Sequence, residues 1–106
     1  MQETAQTRYE DFLKLQYLPQ VLTHHLGRHD DLPAVTQYVA SEKSWKTLTF
    51  KELHERVQRW ERSFAKMNLE RGSRVAMLLP NCIDAICFDQ AALSRALVPV
   101  PLHAID

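Results

Sequence analysis

Five histidines, two cysteines and a scatter of carboxylates are the side chains of this sequence best suited to hold a metal or move a proton. His24, His25 and His29 stand beside Asp30 and Asp31, and His25 and His29 have the i,i+4 spacing that puts two imidazoles on one helical face. A zinc centre needs three or four convergent ligands. Gly27 falls between those two histidines and ends the helix there, so the shared face is lost and the cluster reads as a solvated loop and helix end. Cys82 and Cys87 are five apart, a spacing outside the C-x-x-C metal and redox pairs. Five residues of helix turn through about 500°, so the two thiols do not share a face. Both read as small buried hydrophobes in a reducing compartment. No metal ligand and no catalytic residue is assigned from these groups.

Phosphate chemistry is excluded more firmly. Gly27 and Gly72 are the only glycines, and neither a G-x-G-x-x-G turn nor a G-x-x-x-x-G-K loop can be built from two so far apart. No cofactor-binding residue is therefore assigned. Asp89 and Gln90 fall inside the most apolar helical segment. A polar group aimed at a substrate channel is one reading; a buried carboxylate that caps a neighbouring helix or pairs with an arginine is the one adopted, because buried charge needs a partner. The helix start at Asn81 has the free amides to receive an anion, but a simple cap accounts for it. Trp60 and Phe64, at helical spacing on an apolar stripe, read as packing rather than as the lining of a tunnel. His103, just past the last strand, is the one substrate-side candidate, since open α/β sheets place ligand-facing loops beyond their strand ends.

Thirteen basic residues balance thirteen acidic ones in a chain of 106, 45% of it hydrophobic and 25% charged. That is the composition of one modest soluble domain or a piece of something larger. Zero net charge argues against a general binder of nucleic acid or anionic membrane. The longest apolar runs, such as Val75 to Leu79, are too short to cross a bilayer. The polar, acidic start MQETAQTRYEDF is neither a secretory signal nor a transit peptide, which points to the cytoplasm.

The elements that must position these residues follow from periodicity. Residues 1–7 are expected to be disordered, and Tyr9 to Tyr17 allow a short helix. Pro19 suits the first turn of a second helix, PQVLTHHL, whose stripe is Val21, Leu22, His25 and Leu26. Residues 34–40, AVTQYVA, alternate as a half-buried strand, and WKTLTF supplies its hairpin partner, with Trp45, Thr47 and Thr49 at period two. Thr49 and Glu52 form a capping box that opens the clearest helix. Phe50, Leu53, Val57, Trp60, Phe64 and Met67 make its apolar stripe, with Glu52–Arg56 and Glu55–Arg59 as i,i+4 pairs on the wet side. RVAMLL, residues 74–79, reads as a strand from the buried middle of a parallel sheet. Asn81 is the expected N-cap of a helix running from about Cys82 to Arg95, apolar enough to be packed on both sides. In LVPVPL, Pro99 and Pro101 remove two amides from one side of the closing strand, which places it at an edge. The fold class is α/β: N-terminal helices, a β-hairpin, then a βαβ unit with a right-handed crossover.

From Thr47 onward the chain resembles the N-terminal part of the adenylate-forming, or AMP-binding, enzyme superfamily. Thr49-Phe50 opening a long helix, the turn at Gly72, the Val75-Ala76 strand, Asn81 and the Val100-Pro101 strand occur in that family's order. Asn81-Cys82, the run Phe88 to Leu93 and Val100-Pro101-Leu102 are similar to bacterial long-chain acyl-CoA synthetases, and Leu18-Pro19 and the stretch from His29 to Ala34 also fit. The chain departs from the pattern twice: Gly72-Ser73 replaces a Gly-Asp pair, and Ala96 stands where the family has a glycine. Both positions shape turns.

The resemblance implies a parent enzyme that joins a fatty carboxylate to the α-phosphate of ATP, releases pyrophosphate, and then transfers the acyl group to coenzyme A. ATP, Mg2+ and CoA are the cofactors implied for that parent, and none of the family's phosphate-loop, magnesium, ribose or mobile-lysine motifs falls in residues 1–106. The resemblance therefore implies an N-terminal piece of the large adenylation domain, inactive alone, whose partner is the remainder of the ligase. Apolar surface left without that partner would favour a homodimer, a swapped dimer or aggregation. The parent is expected in the cytoplasm, peripheral to the membrane when it collects substrate. A fatty-acyl-AMP ligase or other acid–thiol ligase is the alternative within the superfamily. A free-standing α/β interaction module, complete at Asp106, is the alternative outside it.

Overall fold

The computed structural model describes residues 4–102. Helix α1 (Ala5–Leu13) and helix α2 (Pro19–His25) come first, then the hairpin strands β1 (Pro33–Val39) and β2 (Ser44–Thr49). Helix α3 (Phe50–Lys66), strand β3 (Arg74–Met77), helix α4 (Ile83–Ser94) and strand β4 (Val98–Pro101) complete the order. The expected disorder of residues 1–7 lies partly outside the described residues; within them, helix already begins at Ala5. Pro19 occupies the first turn of α2 as expected, and Gly27, at φ +77°, takes the left-handed conformation just past its end.

The two sheets are separate pairs. β1 and β2 run antiparallel with Tyr38 opposite Trp45 and Thr36 opposite Thr47, and the two threonine hydroxyls lie 3.0 Å apart. β3 and β4 run parallel, with Ala76 opposite Val100. The amides of Val98 and Leu102 donate to the carbonyls of Ser73 and Met77 at 2.8 Å. The intact donor side of β4 thus faces β3, and the two prolines turn their missing amides outward. β3 was expected in the buried middle of a sheet. Among the described residues it pairs with β4 alone, and Leu78 just beyond it is 65% exposed.

α3 begins as its sequence requires. The Glu52 amide donates to the Thr49 hydroxyl at 3.2 Å and the Thr49 amide donates to Glu52 Oε1 at 3.0 Å, closing the capping box. These hydrogen bonds hold the Glu52 carboxyl below its usual pKa. Glu52 is drawn back to the cap, and Arg56 reaches across to Asp84 in α4 at 3.9 Å. Leu53, Val57 and Phe64 are buried against Ile83, Cys87, Phe88, Ala91 and Ala92 of α4, joined by Leu48 and Leu97. Phe88 is the hinge of this core: its ring meets Trp60 and Phe64 edge-on, at centroid distances of 5.4 and 5.2 Å. Met67, expected on the same stripe, is 60% exposed because α3 has already ended at Lys66.

One expectation about α4 is corrected. Its N-cap is Cys82, in extended conformation, and not Asn81. The cap bond comes from another element, as the Ile83 amide donates to Gln37 Oε1 of β1 at 2.8 Å. α4 is packed by α3 and by the β3–β4 pair, as expected, and Ile86 on its remaining face is exposed.

The end of α4 carries a small strain. The Leu97 amide donates to the Ala92 carbonyl at 2.9 Å and the Ala96 amide to Leu93 at 3.1 Å, the paired bonds of a Schellman motif. Its pivotal residue, Ala96, sits at φ +57°, a conformation that costs an L side chain about 1–2 kcal/mol. Ala96→Gly is therefore expected to raise stability by about 1 kcal/mol, read as a higher urea midpoint at unchanged slope. A lowered midpoint would show that the β-carbon makes contacts worth more than the strain.

Candidate functional site

Parallel pairing makes β3 and β4 release the chain at the same edge of their sheet, and α4 begins at that edge. Ligands of open α/β sheets lie outside this carboxyl end. The residues gathered there are Leu78, Leu79, Pro80, Asn81 and Cys82 after β3 and Leu102 after β4. Leu78, Leu79 and Leu102 are exposed, so the edge is an apolar wall. Arg56 and Asp84 add one loose ion pair, which as a partly exposed contact contributes little. Cys87, one turn into α4, is fully buried, and burial followed by the nearby Asp84 charge pushes its thiol up to about 11. It stays protonated and unreactive at neutral pH. His103, the substrate-side candidate, lies outside the described residues.

The histidine cluster comes closer together than its sequence suggested. The His29 amide donates to the His25 carbonyl at 2.9 Å, carrying the helical spacing through the left-handed Gly27. The His25 ring consequently lies 5.4 Å from His24, 5.4 Å from His29 and 5.0 Å from Phe50, centroid to centroid. Burial first, then the neighbouring His24, His29 and Arg28, lower the His25 pKa and keep the imidazole neutral. Among the described residues no three His, Cys, Asp or Glu side chains are grouped to hold a metal ion.

His25 also belongs to a groove of about 220 Å³ between α2, α3 and α4, which it lines with Leu22, Phe50, Leu53, Ile86 and Gln90. His25 Nδ1 and Gln90 Oε1 are buried without a hydrogen-bond partner. Sequence reasoning noticed Gln90 as a polar interruption of an apolar helix but did not join it to His25. Distance in sequence hides that pairing, and only the packing of α2 on α4 reveals it. Asp89, its neighbour, is half-buried.

These residues do not fit ATP, Mg2+ or CoA. Two isolated turn glycines give no phosphate cradle, while Glu52 serves as a helix cap, Asp84 in a surface ion pair and Asp30 as acceptor for the Gly27 amide. What the geometry defines is an α/β element: α4 packed against α3 and against the short parallel sheet, α3 packed against the hairpin, and an apolar edge beyond the strands.

Comparison with known proteins gives that element its family. The model of a family described as AMP-binding enzyme matches residues 22–105, and the chain belongs to that family. No curated protein matches the sequence. Among solved structures, a fatty acid AMP ligase from Legionella pneumophila is similar, with a TM-score of 0.80 at 17% identity over 88% of this chain and 16% of that one. A Mycobacterium tuberculosis fatty acyl CoA synthetase is similar with a TM-score of 0.69 at 21% identity, over 82% of this chain and 16% of that one. At such identities the likeness is one of fold. The chain spans 16% of the length of each of these two ligases.

Proposed function

We propose that this chain is the N-terminal structural segment of a ligase that activates a long-chain fatty acid with ATP to an acyl-adenylate and then transfers the acyl group to coenzyme A. The family match over residues 22–105 carries the reading, and fatty-acyl ligases among the fold neighbours support the acyl class. In this reading α3, α4 and the β3–β4 pair wall the large adenylation domain. ATP, Mg2+, CoA and every catalytic group are held by the remainder of the parent, which is this segment's partner. His103 is proposed as a substrate-side residue. The parent is read as cytoplasmic, peripheral to the membrane when it collects substrate.

A second reading has one observation in its favour. The fatty acid AMP ligase superposes better, at TM-score 0.80 against 0.69 for the CoA synthetase. Under it the acyl-adenylate is made in the same way and CoA is not the acceptor.

The test is pyrophosphate release with palmitate and ATP, run on the 106-residue chain and on the product of any longer reading frame that contains it. The short chain is expected to release none and to show no change in melting temperature with ATP or CoA. The longer product is expected to release pyrophosphate and, with CoA present, to form palmitoyl-CoA. Palmitoyl-adenylate that persists with CoA present selects the second reading. Turnover by the short chain itself overturns the structural role.

A further inference from the structure

We propose that the end of the sheet where β3 and β4 begin is a docking surface for an anionic lipid bilayer. The chain is neutral overall, but its charges are unevenly spread. Arg62, Lys66, Arg71, Arg74 and Arg95 meet at this end, and Glu70 is the one acidic residue in the segment from Arg62 to Arg74. Backbone hydrogen bonds gather them. The Gly72 amide donates to the Ala96 carbonyl at 2.7 Å and the Val98 amide to the Ser73 carbonyl at 2.8 Å, which brings Arg71 and Arg74 beside Arg95. Arg62 and Lys66, four apart, share one face of α3, and the helix ends directly before the same loop. All five cations are exposed, and no ion pair among the described residues engages them.

The loop that these cations surround carries two exposed apolar side chains, Met67 at 60% and Leu69 at 41%. That combination matches the two layers of a lipid surface: the cations meet the anionic head groups, and Met67 and Leu69 enter the acyl boundary. Nucleic acid offers the same negative charge but no apolar layer, and the patch has no exposed aromatic ring for a base to stack on, since Phe64 is buried. Zero net charge rules out attraction through the total field. It does not rule out attraction at one end, because charges more than roughly 8 Å away are screened at physiological salt. The surface lies opposite the apolar edge beyond β3 and β4 and leaves that edge free. The proposal rests on the reading of the parent as cytoplasmic and peripheral to the membrane, and it does not rest on the ligase chemistry.

The test is flotation of the 106-residue chain with vesicles at about 150 mM salt, without ATP, palmitate or CoA. Binding should require phosphatidylserine in the phosphatidylcholine vesicles and should fall as salt rises. Lys66→Glu with Arg71→Glu should weaken it at least about 25-fold, at about fivefold for each cation lost. Arg62→Gln with Arg95→Gln should give a comparable loss. Lys46→Glu with Lys51→Glu, the same charge change at exposed positions elsewhere, should leave binding nearly unchanged. Met67→Ser with Leu69→Ser should weaken it more than about fourfold, the worth of one buried methylene group, with the salt dependence retained. Equal binding to pure phosphatidylcholine overturns the proposal, as does an equal loss in the control pair or tighter binding to a uridine oligonucleotide than to the vesicles. With no substrate present, failure of vesicle binding leaves the ligase assignment intact, and failure of pyrophosphate release leaves the lipid surface intact.

Discussion

Phe88→Ala should nearly abolish cooperative folding. The ring is buried and meets Trp60 and Phe64 edge-on at 5.4 and 5.2 Å, so its loss removes apolar burial and two aromatic contacts and leaves a cavity between α3 and α4. Such truncations cost about 3–5 kcal/mol, against a total of about 5–15 kcal/mol for an ordinary domain. This protein is expected near the lower end, because its Cα radius of gyration is 15.8 Å where a compact domain of its length has about 13 Å. Thermal denaturation followed by circular dichroism should show a fall of at least about 12 °C, at about 4 °C or more per kcal/mol. Met67→Ala, at the exposed end of the same stripe, should leave the midpoint almost unchanged. Equal small shifts for the two variants would mean that the α3–α4 contact does not organise the core.

Gln37→Met should loosen the joint between the hairpin and the βαβ unit. Methionine keeps the length of the side chain and removes the oxygen that accepts from the Ile83 amide at 2.8 Å. A lost cap on a partly buried amide costs about 1–2 kcal/mol. The informative readout is local: hydrogen exchange at the Ile83 amide should accelerate more than exchange at the Glu52 amide, whose cap is supplied by Thr49 three residues before it. Gln37→Glu, which retains an acceptor, should preserve the protection at Ile83. Unchanged exchange at Ile83 in Gln37→Met would show that the bond does not hold the helix start.

The contrast between those two caps explains what could be read in the sequence. Thr49 and Glu52 are three residues apart, so the capping box is a local pattern and it forms as read. The prolines of β4, the hairpin and the glycine after α2 are legible for the same reason, since each is decided by a residue's own backbone or its near neighbours. The N-cap of α4 was misplaced at Asn81 because the acceptor comes from Gln37, 46 residues away. β3 reads in the sequence as the buried middle strand of a sheet, and α4 as a helix packed on both sides. Composition records what a segment is suited to pack against; the described residues pair β3 along one edge only, while α4 meets both α3 and the parallel sheet. Ala96 was visible as a departure from the family's glycine, and the structure gives that departure a physical meaning through its positive φ. At the candidate site the apolar edge followed from parallel topology, while the meeting of His25 and Gln90 in one groove depended on tertiary packing alone.

The two prolines of β4 have a consequence for how copies of this protein can meet. Val98 and Leu102 spend their amides on β3, so the outer margin of the strand is left with carbonyl oxygens and no donors at Pro99 and Pro101. When two such margins approach, lone pair faces lone pair, and no cross-β ladder can be zipped between them in either orientation. Fibrillar growth through that side is blocked by the covalent chemistry of the strand itself, whatever the concentration. Backbone pairing between copies is left to other strand margins, such as the outer one of β3, which among the described residues pairs with β4 alone.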